Sequence, residues 1–156
     1  MTKMNRPDWD EYFMQIAQDT KTRSNCLTRQ VGAIIVKDKR IIATGYNGTP
    51  MGIKNCFDGG CERCLKRKKG QIQSGEDEDK CICVHAEQNA LLQSAYHGIS
   101  TKDGILFTTA SPCRNCAKMI INSGIKRIIA EEKYPDEIAI SLFKQAGIDL
   151  VIKKEV

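Results

Sequence analysis

The chain has 156 residues, 41% hydrophobic and 28% charged, and it contains no apolar run near the roughly 20 residues that cross a bilayer. Its formal net charge of +5 tolerates an anionic substrate but is too small to indicate nucleic-acid binding. The length fits a single domain over residues 1–156. The segment from Met1 to Asp10 lacks the apolar stretch of a signal peptide, so we expect a cytoplasmic protein.

The first predicted elements are a helix and a hairpin. Asp8 followed by Glu11 is typical of a capped helix start. Two β-branched runs, Val31 to Val36 and Arg40 to Thr44, flank a polar turn and predict an antiparallel hairpin. Apolar side chains recur on one face of the helix, at Trp9, Tyr12, Phe13, Ile16 and Ala17.

A polar, cysteine-rich insert at about 53–84 follows the hairpin. It carries a basic run at Lys66 to Lys69 and an acidic run at Glu76 to Asp79, each most simply a solvated surface. The segment is long for an unstructured loop in a compact domain, which indicates a function or a local cross-link.

The second half of the chain alternates helices with strands. Helices are predicted over His85–His97, Cys113–Ser123 and Asp136–Ala146, and strands over Ile105–Thr109, Ile125–Ala130 and Ile148–Ile152. This alternation predicts an α/β fold in which helices cover a sheet.

Two motifs at predicted helix starts carry the chemistry: His85-Ala86-Glu87 and Pro112-Cys113-Arg114-Asn115-Cys116. One imidazole and two thiolates give zinc three ligands and leave the fourth tetrahedral position for water. Glu87 would lie beside the metal without ligating it and could move a proton from that water to a substrate. Alone, the CxxC motif fits a structural zinc or a redox pair equally well; the two motifs together match the pattern of zinc deaminases.

The remaining cysteines leave two interpretations open. Cys61 and Cys64 have zinc-ligand spacing, and Cys56 and Cys81 flank the insert, whereas buried free thiols acting as small hydrophobes would explain them too. In a reducing compartment, metal binding is favoured over disulfides.

The chain resembles the cytidine deaminase superfamily, specifically its deoxycytidylate (dCMP) deaminase family, from about Trp9 to Gly147. Bacterial late-competence deaminase-like proteins share the same segments. The resemblance rests on HAEQNA (His85 to Ala90), SPCRNCAK (Ser111 to Lys118), QVGAIIV (Gln30 to Val36), GYNGTPMG (Gly45 to Gly52) and INSGIKRII (Ile121 to Ile129).

The resemblance implies a three-layer α/β/α fold with a five-stranded mixed sheet, a homo-oligomer (hexamer or dimer), and zinc-dependent hydrolysis of dCMP to dUMP, a precursor of dTMP, and ammonia. It implies that Asn47 contacts the sugar, that the backbone near Ala86 and Ser111 contacts the base, and that Tyr134 approaches the substrate. In regulated members the GYNG loop binds dCTP and dTTP, which makes effector candidates of Gly45, Tyr46, Asn47 and Gly48.

The family also implies a second, structural zinc. The matching ligands here are Cys26, Cys56, Cys81 and either Cys61 or Cys64, all thiolates because the insert contains no histidine.

Two other functions compete with dCMP deamination. The first is deamination of another cytosine or adenine substrate, such as a tRNA or a nucleoside. The second is a non-catalytic competence or binding protein stabilised by zinc, which Glu87 argues against because a structural zinc needs no proton carrier.

Overall fold

A five-stranded mixed sheet organises the computed structural model, which describes residues 4–154. Residues 1–3 and 155–156, the ends of the predicted domain, lie outside the described residues, and with them the first part of the segment predicted to lack a signal peptide. None of the helices within residues 4–154 combines the length and the apolar character that a membrane span requires.

The first helix, α1 (Trp9–Lys21), starts as predicted. Asp8 Oδ1 accepts from the Glu11 backbone N–H at 2.8 Å, and Glu11 Oε2 accepts from the Asp8 N–H at 3.0 Å. The buried face of α1 differs from the predicted apolar face. The helix buries Phe13, Met14 and Ala17, whereas Trp9 and Tyr12 are more than two-fifths exposed. Phe13 sets this rotation by packing against Phe107 of the sheet, with ring centroids 5.4 Å apart.

The sheet has the strand order β2-β1-β3-β4-β5. β1 pairs antiparallel with β2 and with β3, while β3, β4 and β5 run parallel, so the predicted hairpin and the mixed sheet are confirmed. The strands are β1 (Gly32–Lys37), β2 (Arg40–Tyr46), β3 (Ile105–Ala110), β4 (Arg127–Glu132) and β5 (Asp149–Lys154).

Helices cover both faces of the sheet. Neighbouring strand residues alternate between two buried cores: Leu106 lies under α3 (Ala86–Tyr96), α4 (Arg114–Asn122) and α5 (Glu137–Ala146), whereas Phe107 lies under α1. This alternation is the two-residue period of a strand buried on both sides. The predicted three-layer architecture is therefore confirmed.

The insert forms one short helix, α2 (Glu62–Lys68), among turns. The polar sequence of this segment predicts no helix there. An ion pair between Glu62 and Lys66, one helical turn apart at 2.8 Å, supports α2 on its exposed side. A two-residue bridge between Gly48 and Val84 holds the ends of the insert together, so its chain returns to the sheet just before α3.

Candidate active site

The two predicted motifs meet at the starts of two helices. His85 is the residue immediately before α3, and Cys113 is the residue immediately before α4. Cys116 lies in the first turn of α4. Both helices pack on the same face of the sheet, so their N-terminal ends bring the imidazole and the two thiols together.

The three side chains have the spacing of a zinc site. His85 Nδ1 lies 3.3 Å from Cys116 Sγ and 3.5 Å from Cys113 Sγ. A tetrahedral zinc with ordinary Zn–N and Zn–S lengths separates such ligands by about 3.6 Å. Among the residues that the structure describes, no fourth His, Cys, Asp or Glu joins this group. The residues therefore fit a zinc ion with one position left for water or substrate.

Exposure varies across this group in a way that suits a substrate site. His85 is exposed, Cys113 is half-buried and Cys116 is buried. The metal position is thus open on the imidazole side and enclosed on the sulfur side. The hydrogen bond with Cys116 lowers the pKa of the Cys113 thiol to about 4, so one ligand is already a thiolate.

Glu87 is a buried carboxyl group beside the sulfur ligands. It is 5% exposed, and its Oε2 lies 3.7 Å from Cys116 Sγ while its Oε1 lies 3.4 Å from the Thr108 hydroxyl. Burial raises the pKa of Glu87 above the ordinary value for a glutamate. A raised pKa makes the carboxyl group easier to protonate, which suits a group that both accepts and donates a proton.

Asp136 fixes the start of α4 and was not singled out by the sequence analysis. Its Oδ2 accepts from the Arg114 backbone N–H at 2.9 Å and from Arg114 Nε at 3.1 Å. Its Oδ1 accepts from the Ala139 N–H at 3.2 Å, so the same carboxylate caps α5. Asp136 therefore ties α5 to the residue that follows Cys113.

Asn47, the proposed sugar contact, has a large structural role. Its Oδ1 accepts from the Val31 N–H at 2.8 Å and from the Ser24 hydroxyl, and its Nδ2 donates to the Arg29 carbonyl at 2.7 Å. The second N–H of Nδ2 can serve another acceptor.

Ser111 and Tyr134 form one structural unit. The Tyr134 backbone N–H donates to Ser111 Oγ at 2.7 Å, and the Ser111 N–H donates to the Glu132 carbonyl at 2.9 Å. The guanidinium of Arg29 lies 4.6 Å from the centre of the Tyr134 ring. Ala86, the other base-contact candidate, is buried as the first residue of α3, where backbone N–H groups lack intrahelical partners.

Of the four effector candidates, Tyr46 is exposed, while Gly45, Asn47 and Gly48 are buried. A Cβ on Gly45 would clash with the backbone of Ala86 and of Ala90. The glycine thus allows β2 to approach α3 closely.

The insert gathers all five candidate cysteines for the second metal and adds Cys83. They form two overlapping groups of four: Cys26, Cys56, Cys64 and Cys83, and Cys61, Cys64, Cys81 and Cys83. The grouping differs from the predicted one, which combines Cys81 with Cys26 and Cys56. The signal for Cys83 is its place in Cys81-Ile82-Cys83, a close pair of thiols next to the His85 motif.

Comparison with known proteins places this geometry in a family. The family described as the cytidine and deoxycytidylate deaminase zinc-binding region matches residues 7–132. The chain belongs to this family.

Three similar proteins show the range of the family. The chain is 42% identical to a deoxycytidylate deaminase of Schizosaccharomyces pombe over 146 residues, which are 93% of this chain and 44% of the yeast protein. It is 39% identical to ComE operon protein 2 of Bacillus subtilis, over 93% of this chain and 71% of that protein. A crystal structure of dCMP deaminase from the cyanophage S-TIM5 in complex with dCMP and dUMP is 34% identical with a TM-score of 0.75, covering 97% of this chain and 98% of the phage chain.

The chain spans about half the length of the yeast relatives that it matches.

Proposed function

We propose that this chain is a zinc-dependent deaminase that converts dCMP and water to dUMP and ammonia. The observation that carries the proposal is the position of Glu87, a buried carboxyl group 3.7 Å from Cys116 Sγ, beside three side chains spaced to hold zinc. A structural zinc site needs a fourth protein ligand and no such carboxyl group. The likeness to the phage enzyme that binds dCMP and dUMP supports this choice of substrate.

Glu87 performs the proton transfers of the reaction. Zinc bound by His85, Cys113 and Cys116 supplies Lewis acidity that makes water a nucleophile near neutral pH. Glu87 takes a proton from that water and gives it to the ring nitrogen next to the reacting carbon, while the water oxygen bonds to that carbon. Glu87 then moves the remaining proton of the added hydroxyl to the amino group; the C–N bond breaks, ammonia leaves, and the carbonyl group of dUMP forms. The raised pKa of Glu87 keeps the carboxyl group able to act in both directions.

The surrounding residues hold the nucleotide. Asn47 has one amide N–H available for a sugar oxygen, and the backbone of Ala86 and Ser111 lies where the two helix starts converge. The backbone of Tyr134 is anchored to the Ser111 hydroxyl, two residues before Cys113, which supports Tyr134 as a substrate contact.

A substrate panel tests the proposal. Zinc-loaded protein is incubated with dCMP, CMP, deoxycytidine and adenosine-containing RNA, and ammonia release is measured. We expect the highest kcat/KM for dCMP. A preference for RNA or for the nucleoside would favour the other deaminase function, and zinc-loaded protein inactive on every compound would favour a binding role.

The same proposal includes further features of the family. We place a second, structural zinc among the cysteines of the insert, and a homo-oligomer in solution. Regulation by dCTP and dTTP through the GYNG loop also stays a prediction; Tyr46 is the exposed side chain of that loop. The dCMP assay with and without each triphosphate tests the regulation, and light scattering of the purified protein tests the assembly.

A further inference from the structure

Six cysteines at the insert form two groups of sulfur atoms that have members in common. Two groups of four cysteines each have all their Sγ atoms within 4.8 Å of one another. Cys64 and Cys83 belong to both groups. The six cysteines therefore form one continuous cluster in which two sulfurs lie between two otherwise separate pairs, Cys26 with Cys56 and Cys61 with Cys81.

The distances match metal thiolates and exclude disulfides. Cys81 Sγ lies 3.9 Å from Cys61 Sγ and 3.8 Å from Cys64 Sγ. Two sulfurs on one tetrahedral zinc are separated by about 3.8 Å, because each Zn–S bond is about 2.3 Å long. A disulfide would bring them to about 2.05 Å.

The number of sulfurs also points to more than one ion. A single tetrahedral ion would use four of the six cysteines and leave two buried thiols without a role. Two tetrahedral ions can share six thiolates if two of the thiolates bridge. The structure has two shared sulfurs, Cys64 and Cys83.

We propose that the insert binds two zinc ions as one binuclear cluster. Cys64 and Cys83 are the bridging thiolates, Cys26 and Cys56 complete the first ion, and Cys61 and Cys81 complete the second. This inference rests on the metal proposed above for the insert and replaces a single ion with a pair.

The surroundings of the cluster suit bridged thiolates. Five of the six cysteines are buried, and Cys81 is half-buried. The Leu27 backbone N–H donates to Cys56 Sγ at 3.4 Å, and the Thr28 hydroxyl lies 3.5 Å from Cys26 Sγ. Such N–H and O–H groups offset the negative charge that thiolates retain around a metal. The second ion matters for the same reason, because it neutralises the two additional thiolates.

Metal counting tests the proposal directly. Native mass spectrometry of the zinc-loaded chain is expected to show three zinc ions per chain, one in the active site and two in the insert. Loading with ¹¹³Cd provides an independent readout: two resonances from all-sulfur sites, coupled to each other through the bridging sulfurs, and a third resonance from the site with a nitrogen ligand.

Variants locate the ions. Cys56→Ser removes a terminal ligand of one ion and is expected to lower the count from three to two. Ser74→Ala, at an exposed position of the insert, removes a hydroxyl but no thiol and is the control, with three ions retained. The number of zinc ions bound by the wild-type chain tests the proposal even if the Cys56→Ser protein fails to fold.

The alternative counts separate the two proposals. Two zinc ions per chain with a single uncoupled all-sulfur ¹¹³Cd resonance would overturn the binuclear cluster and leave the single structural zinc in place. One zinc ion per chain would overturn both, without bearing on the deaminase chemistry at His85, Cys113 and Cys116.

Discussion

Glu87 lies in a different setting from the glutamates on the surfaces of α2 and α5. It is 5% exposed and lies between a threonine hydroxyl and a cysteine sulfur, whereas Glu62 and Glu137 lie on helix surfaces with side chains about four-fifths exposed. Burying a carboxyl group costs stability, and such costs concentrate where a protein needs unusual chemistry. The proposed proton transfers give Glu87 that purpose.

Replacing Glu87 by Gln tests the assignment. The amide keeps the shape of the side chain but cannot carry the proton, so we expect kcat for dCMP to fall by about 10² to 10⁴. Zinc content, measured by mass spectrometry, should stay unchanged because Glu87 is not a ligand. Glu137→Gln on the surface of α5 is the control and should keep full activity. Near-normal turnover by zinc-loaded Glu87→Gln protein would refute the role of Glu87.

The grouping of the candidate site residues could be predicted because each motif is local. His85 and Glu87 are two residues apart, Cys113 and Cys116 are three apart, and each pair is positioned by the helix that starts beside it. Cys83 and Asp136 could not be assigned in the same way. Cys83 has a local partner in Cys81, but its neighbour Cys26 is distant in the chain, as Arg114 is from Asp136, and only the folded insert and the packing of α5 bring these residues together. The spacing of residues along the chain does not predict such distant contacts.

At the level of elements, the site depends on how three helices begin. α3 and α4 start at the candidate zinc ligands His85 and Cys113, and α5 starts at Asp136, which accepts hydrogen bonds from the first residue of α4. The strand pattern and helix ends were sufficient to predict these helices and the parallel half of the sheet. The short helix α2 escaped prediction because its charged sequence gives no apolar period, and its buried residues, Arg63 and Cys64, belong to the environment of the cluster.

Gly45 links β2 to the start of α3. Gly45→Ala would place a methyl group against the backbone of Ala86 and Ala90, so the helix must shift. We expect the free energy of unfolding to fall by about 1–3 kcal/mol, the usual cost of overpacking. A displacement of Glu87 by about 1 Å would lower kcat about 100-fold.

Gly52→Ala is the matched control for Gly45→Ala. Gly52 has open space around its Cβ position and a φ of +83°, so alanine there costs backbone strain but meets no neighbour. Chemical denaturation and the dCMP assay measure both variants. Equal activity losses in the two proteins would show that contact with α3 is not the cause.

Asp136 is expected to make the stability of the fold depend on pH. Burial by itself raises the pKa of Asp136, but hydrogen bonds from Arg114 and Ala139 outweigh it and lower the pKa. A carboxyl group with a lowered folded-state pKa stabilises the fold above its unfolded pKa, about 3.9, and this contribution is lost as the pH falls through the folded-state pKa.

We therefore expect Asp136→Asn to lower the free energy of unfolding by about 1–2 kcal/mol at pH 7, as loss of a cap and a charged hydrogen bond would. The difference from wild type should shrink as urea unfolding is repeated at successively lower pH towards 3. Asp149→Asn, at an exposed ion pair with Arg127, is the control and should change stability little at any pH. A wild-type advantage that grows on acidification would contradict the assignment.

At the scale of the whole molecule, the buried clusters of the described residues are of two chemical kinds. Aliphatic and aromatic side chains fill both faces of the sheet, whereas the third buried cluster of the described residues consists of cysteines, with Leu27 packed against it. The sheet can stay folded through apolar burial, but the insert has little apolar surface to bury, so we expect its fold to depend on the proposed metals.

Removing the metals should therefore loosen the insert and spare the sheet. After treatment with a strong chelator, we expect trypsin to cut near Lys66 to Lys69 at least ten-fold faster, while far-UV circular dichroism keeps most of its strand and helix signal. Adding zinc back should restore resistance. Cleavage throughout the sheet on the same timescale would show that the metals support the whole fold.

The spacing of Cys83 and His85 has a consequence for zinc supply. A single residue separates Cys83, a proposed cluster ligand, from His85, a proposed ligand of the catalytic zinc, and two residues of chain reach at most about 7 Å. Under the proposed metal binding, an empty insert would free the chain on one side of His85, whereas Cys113 lies far from the insert in the chain, at the start of α4. We expect the hold on the imidazole to weaken, and with it the binding of the catalytic zinc. The protein would then lose activity when zinc leaves the insert, so its rate of deamination would depend on the zinc concentration.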